Sequence, residues 1–244
     1  MFRIKKDITV DVCLSPELYD LHAKNNTVVA MLDAIRASAT ICTALMNDAE
    51  CVLPVADKEK AKEYKEQGYI IAGERDGEKI KGFDYGNSPS NFSEENIKGK
   101  KLVFTTTNGT QVVDMVKNGK QRKLDLLIGS FINISSLNKK LISLEKDILI
   151  LCSGWKKTVN VEDTLLAGRI VDMLRKNENL VFTEAANVAY TVFLNAGESY
   201  YDFVMKNSPR LFAKNEQLEK DFRYCLTENI TDVVPYLKED KLIV

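Results

Sequence analysis

Residues 27–44 read TVVAMLDAIRASATICTA, and this stretch decides the fold. Val28, Val29, Ala30, Met31 and Leu32 form an apolar run without alternation, the pattern of a strand covered on both faces. The run stops at Asp33, Arg36 follows three residues later, and the small residues Ala37-Ser38-Ala39-Thr40 open a helix that reads as buried. In open α/β sheets, ligands gather beyond the carboxyl ends of strands, where helix N-termini present free N–H groups. A carboxylate and a guanidinium at such a point fit a bound cation beside an anionic ligand. Asp33 also reads simply as a helix N-cap, and the stretch alone leaves both readings open.

On either side of this stretch, strand-like and helix-like segments alternate. ITVDVCL from Ile8, Cys51–Val55, Tyr69–Ala72, Leu102–Phe104, Leu124–Ile128 and Ile148–Leu151 read as strands. Residues 37–47, 57–67, a segment from about Asn108, 134–144 and 161–174 read as helices, with Gly68 stopping the second. Such alternation predicts an α/β fold, with a mainly parallel central sheet between helix layers. Beyond Leu180 the pattern turns helical, until strand-like tails at Val233–Leu237 and Lys241–Val244. No Pro/Gly/Ser-rich linker or internal repeat divides the chain, so residues 1–244 are expected to form one domain. The glycine-rich Gly73–Lys100 segment is predicted as a long loop and a wall of the active site.

Composition narrows the function. Lys and Arg total 34 against 35 acidic residues, a net charge of -1 that gives nucleic acid no basic field to bind. The apolar runs are too short to span a bilayer, and MFRIKKDITVDV lacks the apolar core of a signal peptide, so no membrane partner and a cytoplasmic location are expected. Apolar helical faces in the last third point to a homo-oligomer. The cysteines Cys13, Cys42, Cys51, Cys152 and Cys225 contain no CxxC pair and read as small buried hydrophobes. Six residues after them stand Tyr19, Asp48, Asp57, Thr158 and Thr231, so no C-x5-R phosphatase loop exists. His22 is the single histidine, in a helix-like stretch remote from the strand ends, and reads as structural or exposed. A Ser-His-Asp triad or a His-based zinc site would need that one residue. Acid–base work falls instead to carboxylates or metal-bound water.

Polar clusters recur after four strands: Asp33-Ala34-Ile35-Arg36, Gly73-Glu74-Arg75, Thr105-Thr106-Thr107-Asn108-Gly109-Thr110, and Ser153-Gly154-Trp155-Lys156-Lys157 with Glu162-Asp163 beyond. In a parallel sheet these ends share one edge, so the clusters are expected to converge. The TTTNGT turn suits phosphate oxygens through backbone N–H and hydroxyl groups, and reads equally as a tight turn capping a helix. Neither a Walker loop nor G-x-G-x-x-G occurs. Glu162 and Asp163 fit a magnesium ion together with Asp33, or merely complement a helix dipole. Glu74-Arg75 reads as part of the site or as a surface pair. Trp155 reads as a loop packing residue or, second to that, as a pocket-lining one, and Lys156-Lys157 as a solvated turn.

LDAIRASATICTAL, AGERDGEKIKGFDYGNSPSNF, GKKLVFTTTNGT, CSGWKKTVNVEDTLLAG and DFRYCLTENITDVVPYL together resemble the 2-phosphosulfolactate phosphatase family over nearly the whole chain. The resemblance implies a three-layer α/β/α fold and a magnesium-dependent acid phosphatase. Its substrate would be a small anionic one, (R)-2-phospho-3-sulfolactate, converted to 3-sulfolactate and phosphate on the way to coenzyme M in methanogens. Asp33, Arg36, Glu74, Arg75, Asn87, Ser88, Thr106, Thr107, Asn108, Gly109, Glu162 and Asp163 match the family's motif blocks. Ala34-Ile35 depart where many members carry Leu or Val before the Arg, and Leu211-Phe212-Ala213 replaces a more basic stretch, which puts substrate contacts from the C-terminal region in question. On this basis Asp33, Glu74 and Arg36 are expected to be catalytic. Mg²⁺ is expected on Asp33 with Glu162 and Asp163. Substrate is expected on Arg36, Arg75, Asn87, Ser88, Thr106–Gly109 and the Ser153-Gly154 turn. Phosphatases for other small phosphorylated hydroxy acids, and a non-catalytic anion-binding domain, are the competing readings.

Overall fold

β-Branched and apolar runs make the strands, and the strands order the molecule. The computed structural model describes residues 7–119, 124–211 and 216–244. Its strands are β1 (Ile8–Cys13), β2 (Thr27–Leu32), β3 (Cys51–Pro54), β4 (Ile70–Arg75), β5 (Glu78–Lys79), β6 (Lys101–Thr105), β7 (Asp125–Gly129), β8 (Asp147–Cys152), β9 (Leu180–Phe182), β10 (Tyr236–Lys238) and β11 (Lys241–Ile243). They form one sheet in the order β5-β4-β6-β3-β11-β10-β7-β2-β8-β1-β9. All six residues of β2 are buried. Val29 and Met31 pack on one face, while Val28, Ala30 and Leu32 pack on the other, as the two-residue period of a strand demands. Helices therefore cover both faces, in agreement with the expected α/β layering. Ala37–Met46 and Gly109–Asn118 lie on one side, and Ile134–Ser143, Val161–Leu174 and Glu184–Leu194 on the other.

The sheet is mostly parallel but is not one parallel ladder. β4-β6-β3 and β7-β2-β8-β1-β9 are parallel blocks. The C-terminal hairpin β10-β11 is wedged between them by antiparallel pairs, Tyr236 with Leu127 and Leu242 with Val52. The expectation of a single shared edge is corrected accordingly. Two blocks bring their carboxyl ends together around the helices Ala37–Met46 and Gly109–Asn118, with which both share one core. Cumulative strand twist over a sheet this wide accommodates that common core.

Other details differ from expectation in instructive ways. The segment after Ala72 is no structureless loop: β4 continues to Arg75 and turns back into β5, and Pro89–Asn91 and Glu94–Ile97 are short helical turns. Leu180–Phe182 adds an edge strand beside β1. All five cysteines are free and buried. His22 Nδ1 lies 2.8 Å from Asp11 Oδ2, away from the strand-end clusters. No helix among the described residues is long and apolar enough to cross a membrane. Phe212 and Ala213 of the divergent Leu211-Phe212-Ala213 stretch, and residues 1–6 of the N-terminal segment, lie outside the described residues.

Candidate active site

β2 ends at Leu32 and delivers Asp33 between two helix N-termini. Its Oδ1 accepts the Ala37 N–H at 3.3 Å and its Oδ2 the Gly109 N–H at 3.1 Å, each from the first residue of a helix. The N-cap reading holds at the Ala37 N–H, and the same carboxylate lines a cavity. Helix dipoles favour the anion there. Burial opposes it more strongly and the nearby Glu74 charge adds to that, so the Asp33 pKa is pushed up to about 6 against the lowering effects of Ala37, Arg210 and Gly109.

Glu74 arrives from β4 and is equally enclosed. Its Oε1 accepts the Thr107 N–H at 2.7 Å, and its Oε2 accepts the Gly77 N–H at 2.7 Å and the Thr107 hydroxyl at 3.1 Å. Successive strand residues point to opposite faces. Arg75 thus turns away from Glu74 and donates to the carbonyls of Glu74 and Ala56 and to Thr105 Oγ1. Arg75 does not line the cavity, and its expected substrate contact is corrected to a cross-strand tie. In the TTTNGT turn, Thr106 and Thr110 exchange hydrogen bonds that close the helix start, Thr107 orients Glu74, and Asn108 reaches the cavity. The turn's hydroxyls serve the protein rather than an open anion nest.

The loop after β8 carries the third cluster, and Asp163 organises it. Asp163 Oδ1 accepts the Ala34 N–H at 2.7 Å, and its Oδ2 accepts the Gly154 N–H at 2.9 Å and Asn160 Nδ2 at 3.1 Å. Burial, reinforced by Asp33, pushes its pKa up to about 8. Gly154 is left-handed (φ +64°), and a Cβ there would meet the Thr158 carbonyl at 2.2 Å. Ser153 is buried against Met31 sulfur at 3.3 Å, so its expected substrate contact is corrected to packing. Glu162 is fully buried, bonded to Asn160 Nδ2 at 2.9 Å and ion-paired with Arg210. Of the expected ligands Asp33, Glu162 and Asp163, Asp33 alone lines the cavity, while both Asp163 oxygens and Glu162 accept from protein donors. Among the described residues no group of three or more His, Cys, Asp or Glu side chains is arranged to hold a metal.

A cavity of about 420 Å³ opens where these loops meet. Asp33, Arg36, Glu74, Asn87, Ser88 and Asn108 line it as the sequence predicts. Asp76, Glu78, Trp155, Arg210, Gln217 and Asp221 line it too and were not among the predicted site residues. The C-terminal region thus supplies part of the cavity wall. Arg36 bonds Asp221 Oδ2 at 2.8 Å and the Gly77 carbonyl at 3.1 Å. Ser88 donates to Asp221 Oδ1 at 2.6 Å, so the helix Glu216–Cys225 is tied to both β2 and β4 loops. Asn87 Oδ1 is buried and has no hydrogen-bond partner among the described residues. Acidic side chains outnumber the arginines in the lining, and an anionic ligand needs compensating positive charge to enter.

Comparison with known proteins agrees with this architecture. The profile of the family described as 2-phosphosulpholactate phosphatase matches residues 13–240. A protein of Clostridium novyi is 33% identical over 237 residues, covering 96% of this chain and 98% of its own length. One of Thermotoga maritima is 38% identical over 207 residues, covering 85% and 87%. One of Clostridium acetobutylicum is 34% identical over 241 residues, covering 96% and 99%. Each is named "Probable 2-phosphosulfolactate phosphatase". Matched along nearly its whole length, with the shared motifs meeting at one cavity, the chain belongs to the 2-phosphosulfolactate phosphatase family.

Proposed function

We propose that this protein hydrolyses (R)-2-phospho-3-sulfolactate to 3-sulfolactate and phosphate, with Mg²⁺ bound at Asp33. The observation that carries the reading is the pairing of two enclosed carboxylates, Asp33 and Glu74, with two arginines, Arg36 and Arg210, around one cavity. Magnesium takes one or two carboxylates, keeps several waters and bridges to substrate phosphate. Asp33, each oxygen of which accepts a single N–H, keeps lone pairs for such an ion, and Asn87 Oδ1, without a hydrogen-bond partner among the described residues, suits a water that the ion would retain. The expected ligands Glu162 and Asp163 are held by protein N–H and guanidinium groups and do not line the cavity, so Asp33 alone of the three faces it. Bound there, the ion would neutralise phosphoryl charge, the main barrier in monoester hydrolysis.

The residues divide the remaining work. Asp33 fixes the phosphoryl end at the junction of two helix N-termini. Arg36, held by Asp221, adds positive charge beside it. Glu74, oriented by three hydrogen bonds, accepts the proton of the attacking water. As the P–O bond breaks, that proton returns to the C2 oxygen, giving the alcohol and inorganic phosphate. Phosphate release is the test, comparing phosphosulfolactate with phospholactate and phosphoglycolate, with and without chelator. Turnover of phosphosulfolactate should be highest, should vanish in chelator, and should fall at least about a hundredfold in Asp33→Asn. Undiminished turnover by Asp33→Asn would rule the assignment out, and a preference for phospholactate would move the substrate to another hydroxy acid.

A further inference from the structure

Arg210 belongs to no motif that the sequence marks, yet it reaches the cavity from the last third of the chain. Its guanidinium lies over the Trp155 ring, 4.6 Å from Cζ to the ring centroid. One terminal nitrogen pairs with the Glu162 carboxylate, whose side chain is 1% exposed. Glu162 is itself fixed by Asn160 Nδ2 at 2.9 Å and by the Ser208 hydroxyl at 3.4 Å. An aromatic face on one side and a buried anion on another confine the guanidinium to one position. Its remaining N–H groups have no protein acceptor among the described residues, on a side chain that stays 25% exposed.

Arg36 offers a contrast. Both of its terminal nitrogens are engaged, with Asp221 and with the Gly77 carbonyl, and its side chain is 10% exposed. Arg36 thus spends both terminal nitrogens on protein acceptors, whereas Arg210 spends one and keeps more of its fork for a ligand. It also stands near enough to Asp33 for its charge to act on that carboxyl. Arg210 and Asp33 line one and the same cavity of about 420 Å³.

Resting on the phosphatase reading above, we propose that Arg210, laid on Trp155 and backed by Glu162, receives the sulfonate of the substrate and sets the enzyme's preference for sulfonated over methylated hydroxy acids. A guanidinium is planar, weakly hydrated and able to present parallel N–H bonds while stacked on an aromatic ring. A sulfonate spreads one charge over three oxygens, so this partner takes it from water at low desolvation cost. Glu162 acts as a positioning residue: it holds the fork in place without touching the ligand. The acidic pair in the first turn of Val161–Leu174 is divided between two duties, Glu162 setting Arg210 and Asp163 setting the loop of Asp33.

Calorimetric titration with 3-sulfolactate and with lactate, in excess Mg²⁺, tests this without any turnover. Arg210→Met should weaken 3-sulfolactate binding by about 10- to 100-fold and leave lactate binding within about twofold. Arg210→Lys keeps the charge but loses the fork, and should fall between. Glu162→Gln should lower the ratio of sulfolactate to lactate affinity while the thermal midpoint stays near wild type. Equal losses for both ligands in Arg210→Met, no loss for either, or no sulfolactate binding by the wild type would each overturn the sulfonate assignment. The activity is judged separately. Phosphate release with unaltered sulfonate preference in Arg210→Met sinks this site and leaves the phosphatase standing. Arg210-dependent sulfolactate binding without phosphate release does the reverse.

Discussion

Gly109 shows how closely the site is fitted at the scale of one residue. It opens a helix, and its N–H is a donor to Asp33. A Cβ at this position would stand 2.9 Å from Asp33 Oδ2 and 3.2 Å from the Ala37 Cβ. Gly109 has no positive φ to relieve, so alanine there displaces the carboxylate rather than straining the backbone. Gly109→Ala should leave the thermal midpoint within a few degrees and lower phosphate release on the order of tenfold to a hundredfold, since displacements near 1 Å cost that much. Near-normal turnover would show that the Asp33 position is not critical. Asp33 and Glu74 were legible because each ends an apolar strand run abruptly, where packing has no use for a carboxylate. Arg75 adjoins Glu74 in sequence but not in the site, because successive strand residues face opposite ways. Arg210 was illegible: only the folded chain carries it to Trp155 and Glu162.

Among the elements, the first turn of Val161–Leu174 does more than complement its own dipole. Through Asp163 it clamps the turn after β2 at Ala34 and the turn after β8 at Gly154. Asp163→Ala leaves these two N–H groups without acceptors in a buried setting, and Asn160 Nδ2 keeps only its bond to Glu162. Each costs about 1–3 kcal/mol, and each kcal/mol moves the midpoint of a protein this size by about 2–4 °C. The variant should therefore melt well below the wild type, and its residual activity should be lower still because Ala34 adjoins Asp33. A midpoint unchanged from wild type would mean that water replaces the clamp. Strands and helices up to Leu174 were legible from their apolar periods. The β4-β5 turn was not, because Gly73–Lys100 mixes glycine with charge and its pairing is decided by the neighbouring β6 rather than by local pattern.

For the whole molecule, the wedge of β10-β11 between two parallel blocks was beyond the sequence, which showed strand-like tails but nothing of their partners. The wedge joins the halves that supply Asp33 and Glu74, so Leu242, 0% exposed and paired with Val52, is a joint of the entire fold. Leu242→Ala should cost about 2–5 kcal/mol in denaturant unfolding. Acid–base linkage offers a further global readout. Asp163 has an ordinary value of 3.8 and a folded value pushed up to about 8, so the folded protein holds this proton more tightly than the unfolded chain does. The stabilisation is complete below the ordinary value and is lost as pH rises through about 8. Asp33, raised to about 6, acts in the same direction. The lowered carboxylates Asp57, Asp84 and Glu228 oppose it only as pH falls toward and below their ordinary values. In chelator, the thermal midpoint should thus decline steadily between about pH 5 and pH 9. Asp163→Asn removes the titrating group while keeping an acceptor for Ala34. It should start from a lower midpoint at pH 5, because the Gly154 N–H loses its acceptor, and should decline with a shallower slope. Parallel slopes for the two proteins would show that the proton on Asp163 is not linked to folding, and that the buried pair Asp33–Asp163 carries less strain than its surroundings imply.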